Sequence, residues 1–196
     1  MTDRPRRLDP AARRTQLLDV ARAIVETDGV PNCTVDAVSD AAAVTPQLVH
    51  KYFGTRPALL QALYRREDDA YQADVKAKLN RADSFEEVVR VFVTANFDQL
   101  SSATAMGRLR VANETAEVRT ERHTAGKRDA ERILVRALQR EYDTSPETTE
   151  FVLRLGSAAS IEAGNLAAQR PERDRTRDID DAVQFILAGI HAVVGA

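Results

Sequence analysis

Apolar residues recur every three to four positions along almost the whole chain, in runs parted by short polar stretches that carry capping residues, Gly or Pro. This period predicts an all-α fold. Leu17, Ala21, Ile24 and Val25 share one face of a helix over about 10–27, opened by Asp9-Pro10 and stopped at Asp28-Gly29. Thr34 caps a second helix over about 35–42 with Val35 and Val38 inward, and Ala42-Ala43-Val44 turns the chain. Thr45-Pro46 opens a third helix over about 46–52, and Thr55 before Arg56-Pro57 opens a fourth over about 56–79. Leu59, Leu60, Leu63, Tyr64, Tyr71, Val75 and Leu79 line the apolar side of that long helix. Ser84 and Glu87 form a capping box for a fifth helix ending near Leu100. Its Phe85, Val88, Val89, Phe92, Val93, Phe97 and Leu100 cover so much of the circumference that the helix must be central. Residues 103–117 suggest a shorter polar helix or loop, and 118–142 a charged helix with Ala130, Ile133, Leu134, Ala137, Leu138 and Tyr142 inside. Ser145-Pro146 caps a helix over about 146–169, and Asp178 opens the last, to about Val194.

The third helix carries the most telling polar pattern. Val49 and Phe53 share one face, which turns Thr45, Gln47, Leu48 and Lys51 outward, with His50 and Tyr52 at the margin of that set. Such a face suits a DNA groove: Gln47 can pair with adenine, Leu48 can press on a thymine methyl, and Lys51 supplies charge to phosphate. Two of these have alternatives, since Leu48 can be partly buried between helices and Tyr52 can join the core beside Phe53.

Composition narrows the classes. With 43% hydrophobic residues a chain of 196 can bury a real core, and 5% aromatic content with little Gly or Pro again favours helix. Cys33, the single cysteine, excludes an internal disulfide and reads as a small packed residue, with no flanking Lys or Arg to activate it. His50, His123 and His191 are too scattered for a zinc site, so no metal or cofactor is expected. Neither a nucleophile with its base nor a phosphate-cradling glycine loop is visible, which argues against an enzyme. No apolar run is long enough for a membrane span, and the polar, Arg-rich first fourteen residues do not form a signal peptide; a cytoplasmic protein is expected. Net charge of -2 hides an asymmetry: residues 1–66 hold ten Lys/Arg against seven Asp/Glu, leaving eighteen against twenty-three behind. A basic front suits a polyanion. Arg4, Arg6 and Arg7 form an arm that either tracks DNA or is a solvated tail.

Residues 12–64 resemble the DNA-binding domain of the TetR family of transcriptional regulators. The resemblance is carried by Leu17-Leu18-Asp19-Val20-Ala21, Ile24-Val25 before Gly29, then Thr34, Val38, Ala42, Val44-Thr45, Val49, Tyr52-Phe53 and Thr55-Arg56-Pro57-Ala58-Leu59. It implies phosphate contacts from Thr34, Tyr52 and Arg56, and base reading by Thr45, Pro46, Gln47 and Leu48. Three positions depart from the family pattern: Ala43 stands where a turn glycine is usual, His50 where tyrosine often contacts phosphate, and Pro57 where an acid is commoner.

Behind a reading head at 11–71, residues 72–196 are expected to form a helical ligand-sensing and dimerisation domain. The small residues Gly156, Ser157, Ala158, Ala159, Ser160, Ala163 and Gly164 invite a close helix, and Ile179, Val183, Ile186, Leu187, Ile190 and Val194 form a stripe on the last one. These two helices can build a four-helix bundle across a two-fold axis, as the resemblance also implies, or the stripe can complete the monomer core. Candidate effector contacts are Asn96, Asn113, Glu162 and Asn165, polar groups on or near apolar faces; Asn96 can instead be satisfied internally, and Glu162 can pair with an arginine. The expected function is a homodimeric transcriptional repressor released from a palindromic double-stranded DNA operator by a small molecule. The alternative is a helical interaction module that uses its three-helix head on a protein partner.

Overall fold

A computed structural model describes residues 9–100, 104–170 and 172–195, with 123–131 by their backbone alone. Arg4, Arg6 and Arg7 of the arm, and the side chains of His123 and Ala130, lie outside the described residues. The described elements are helical, and contacts divide the chain into two compact units, one of residues 1–68 and 103–119, the other of 69–102 and 120–196. The chain is thus cut more than once, because residues 103–119 rejoin the head.

In the first unit, α1 (Pro10–Asp28) begins where the Asp9 carboxylate accepts from the backbone N–H groups of Ala11 and Ala12, at 2.9 and 3.0 Å. A 3-10 turn (Val30–Asn32) leads to α2 (Val35–Ala41), capped by Thr34, and then to α3 (Pro46–Phe53) and α4 (Arg56–Leu79). Leu17, Ala21 and Val25 of α1, Val38 of α2, Val49 of α3 and Leu59, Leu60 and Leu63 of α4 are wholly buried. Each large aliphatic among them contributes about 1.5–3 kcal/mol by leaving water, so the head is a true core and not a loose hairpin.

The stretch expected as a polar helix or loop is more structured. It contains α6 (Ala105–Arg110), whose Thr104 hydroxyl accepts from Gly107 N–H at 3.1 Å, then a 3-10 turn (Asn113–Thr115) and the start of α7 (Ala116–Glu141). Ala105, Met106 and Leu109 are buried, so its inner face is apolar although its sequence reads as polar.

In the second unit, α5 (Phe85–Leu100) packs on both α8 (Pro146–Ala168) and α9 (Arg175–Val194), which also pack on each other. Phe85, Val88, Val89, Val93 and Phe97 are buried there, as the apolar circumference of α5 requires. At its start Ser84 Oγ accepts from Glu87 N–H at 3.2 Å, while the Glu87 carboxylate reaches back to the N–H of Asp83 at 2.7 Å. One boundary differs from expectation. Asp174, not Asp178, caps α9 by accepting from Thr176 N–H at 2.9 Å, and Asp178 lies in the first turn, 3.1 Å from Arg173.

Candidate nucleic-acid interface

The α2–α3 turn sets the direction of α3. Ala43 N–H donates to Asp40 O at 3.1 Å and Val44 N–H to Ser39 O at 2.9 Å, the two crossed bonds of a Schellman closure. That closure needs a left-handed residue, and Ala43 supplies it with φ of 51°. The missing turn glycine therefore marks a strained position.

Along α3 the expected division of faces is present. Val49 is fully buried and anchors the helix, whereas Thr45, Gln47, His50 and Lys51 are exposed. Pro46, Leu48 and Tyr52 are half-buried, so Leu48 and Tyr52 each keep a face to solvent as well as a packing role. Phe53 is only half-buried and is covered on its ring by the Arg14 guanidinium, 5.3 Å from the centroid. Thr45 occupies the cap position, but its hydroxyl makes no capping bond. Pro46 at the first helical position has no N–H to satisfy, which lessens the need for one. Thr34 differs, because its hydroxyl accepts from Ala37 N–H at 3.1 Å.

At the far end, Gly54 has φ of 75°, a conformation that a β-carbon would strain, and it closes α3 by donating its N–H to His50 O at 2.7 Å. His50 Nδ1 lies 2.7 Å from Gly54 O, fixing the imidazole against the turn.

Arg56 is held inward. Its Nε donates to Cys33 O at 2.9 Å, one terminal nitrogen donates to Val30 O at 2.7 Å, and the other pairs with Glu114. Gln61 Nε2 donates to the backbone oxygen of Glu114 at 3.1 Å, and Arg108 donates to Val25 O at 3.2 Å. These bonds tie the 104–119 segment to α1, α4 and the α1–α2 linker. Sequence reasoning missed this clamp, and no local signal marks it, because Arg56 and Glu114 are 58 positions apart. The Glu114 carboxyl is held below its usual value, first by a backbone hydrogen bond at Glu114 and then by Arg56. Burial pushes the Cys33 thiol up to about 11, only partly opposed by the Arg56 charge, consistent with a packed and unreactive cysteine.

The four effector candidates divide between the two units. Asn96 Nδ2 donates to Ser160 Oγ at 2.8 Å, so this amide is satisfied within the α5–α8 contact. Asn165 donates to the exposed Glu162 at 3.3 Å, and Asn113 belongs to the first unit. The stripe Ile179, Val183, Ile186, Leu187 and Ile190 is buried within its own unit, so it completes the monomer core. Gly156 and Gly164 serve that packing: a β-carbon would sit 3.2 Å from Ile186 Cγ2 in the first case and 2.7 Å from Leu100 Cδ1 in the second. Another apolar surface is left open. On α8 Phe151, Leu155 and Ile161 are 56%, 55% and 46% exposed, and on α9 Phe185 is 72% and Val193 44% exposed. Gly189, between the last two, has open space where a side chain would be.

Among the described residues there is no group of three or more potential metal ligands, and no helix is long and apolar enough to cross a membrane. The first unit holds a helix-turn-helix, and the described elements of the second are helical. Residues 17–63 match the family model for bacterial regulatory proteins of the tetR family. It is 31% identical over 87 residues to the HTH-type transcriptional regulator BetI of Burkholderia mallei, strain NCTC 10229. That match spans 44% of this chain and 45% of the relative, less than half of either. Likeness of fold extends further. The fatty acid degradation regulator FadR from Bacillus halodurans superposes with a TM-score of 0.68 at 18% identity, over 93% of this chain and 97% of that one. SmeT, in complex with triclosan, superposes with 0.62 at 22% identity, over 91% of each chain.

Proposed function

We propose that this chain is a cytoplasmic, homodimeric DNA-binding transcriptional repressor that a small molecule releases from a palindromic operator. The observation that carries the DNA reading is the outward face of α3: Thr45, Gln47, His50 and Lys51 stand exposed in sequence around a fully buried Val49. Base reading falls to Thr45, Pro46, Gln47 and Leu48, and backbone contact to His50, Lys51 and Tyr52. The Thr34 and Arg56 side chains have partners inside the head, so their share in phosphate binding runs through backbone groups and through placing α3.

Dimerisation is assigned to the exposed apolar face of α8 and α9. Two copies related by a two-fold axis present their α3 helices to successive major grooves about 34–36 Å apart. The effector role is supported by fold likeness to SmeT, which was solved in complex with triclosan, and in this reading a ligand favours a dimer geometry that no longer matches the operator. A regulator of this kind needs no catalytic centre.

Selection of bound duplexes from a random pool, followed by affinity measurements across a salt series, tests the reading. Binding through several phosphates should weaken steeply with salt, and Gln47→Ala should cost about 1–3 kcal/mol and relax preference at one position. A protein that selects no sequence, yet captures a protein partner regardless of salt, would instead be an interaction module. Unchanged operator affinity in the presence of a compound shown to bind the protein would remove the effector switch.

A further inference from the structure

His50 stands exposed in the last turn of α3, three residues after Gln47 and next to Lys51. Its Nδ1 is 2.7 Å from the carbonyl oxygen of Gly54, and among the described residues that carbonyl is its one partner. A carbonyl oxygen only accepts, so Nδ1 carries the hydrogen. This settles the tautomer: in the neutral ring Nε2 holds a bare lone pair. A phosphate oxygen is an acceptor too, and two acceptors repel. Only the imidazolium, with a second N–H at Nε2, can donate to phosphate, and it then does so with the added strength of a charge-assisted bond.

We infer that His50 is a proton-gated phosphate contact, donating to a DNA backbone oxygen only as imidazolium, so that each protomer takes up a proton on binding duplex. This rests on α3 being the DNA-facing helix. No atom is transferred beyond the proton, which comes from solvent and stays on Nε2 between the ring and the phosphate.

The surrounding charges leave the ring free to act in this way. Lys51 is its charged neighbour on α3, and the acids on the packed helix α2 are Asp36 and Asp40, neither paired with the imidazole. From α1, Arg14 lies over Phe53, and at the start of α4 the Arg56 guanidinium is engaged with Val30, Cys33 and Glu114. Among the described residues no carboxylate is paired with the imidazole. A glutamine here would be able to donate at every pH, so histidine makes the contact conditional on taking up a proton.

Because a phosphate contact does not depend on sequence, the probe can be a fluorescent duplex of mixed sequence at low salt, with anisotropy read from about pH 8 to pH 6. Wild-type affinity should rise on acidification, by at most about tenfold per pH unit for each imidazole engaged. His50→Gln, at an exposed site and with its helicity checked by circular dichroism, should bind more tightly than wild type at the upper pH, because its amide donates without a proton, and should lose that rise. Calorimetry in buffers of different ionisation heat should count roughly one proton taken up per wild-type protomer and correspondingly fewer for the variant. Equal pH slopes for wild type and variant, or a wild-type affinity indifferent to pH, would overturn the proposal while leaving DNA binding intact. If neither protein binds duplex at low salt, the DNA reading itself fails and takes this inference with it.

Discussion

Ala43 holds a left-handed backbone at φ of 51° because the crossed bonds to Ser39 and Asp40 demand it. A β-carbon in that region costs about 1 kcal/mol, and glycine removes the clash while adding some entropy to the unfolded chain. Ala43→Gly should therefore raise stability by about 0.5–1 kcal/mol in urea unfolding, with DNA affinity unchanged; a loss of stability would show that the turn is not strained. A second residue-scale effect belongs to Glu114. Its carboxyl is lowered in the folded chain, so its contribution is present above the ordinary carboxyl value of 4.5 and is lost as pH falls through the lower folded value. Wild type should lose stability below about pH 4.5 more steeply than Glu114→Gln, whose stability at neutral pH should be lower, as seen in acid titrations followed by circular dichroism. Parallel titration curves would remove Glu114 from the account. The residue types at these sites were visible in the chain, and the resemblance marked Ala43 as standing where a turn glycine is usual. Arg56 was different: the family resemblance implied a phosphate contact there, and the fold turns its guanidinium to the carbonyls of Val30 and Cys33.

At the scale of elements, caps mark several helix starts, since Asp9, Thr34 and Ser145 each bind an N–H within three residues. Such contacts are local and legible. The two faces of α9 were harder, because the helix is apolar on both: one side is buried by α5 and α8, and the other carries Phe185, Ala188, Gly189, Ala192 and Val193 in the open. Periodicity finds the stripe through Ile179, Val183 and Ile186 but leaves open whether the chain covers it for itself, and it does not single out the face of Phe185 and Val193. Phe185→Asp should leave the fold intact, as the side chain is 72% exposed, and should shift a dimer to monomer in sedimentation at micromolar concentration. An unchanged dimer would place the interface elsewhere.

For the whole molecule, affinity and assembly are linked. A dimer engages two half-sites, so the second head binds at an effective concentration set by the first. The Phe185→Asp protein should therefore bind a selected operator far more weakly than wild type, and its salt slope should fall to about half, although no residue of α3 has changed. Equal affinity and slope would mean that each head acts alone. What the chain decided unaided is whatever depends on neighbours a few positions away: helical period, caps, the strained turn and the outward face of α3. The folded molecule decided which distant groups meet, namely Arg56 with Glu114, Asn96 with Ser160, and the α9 stripe with α5 and α8. Hydrogen bonding and burial act across space, and many partners can satisfy one guanidinium or cover one stripe. Only the closed chain selects among them.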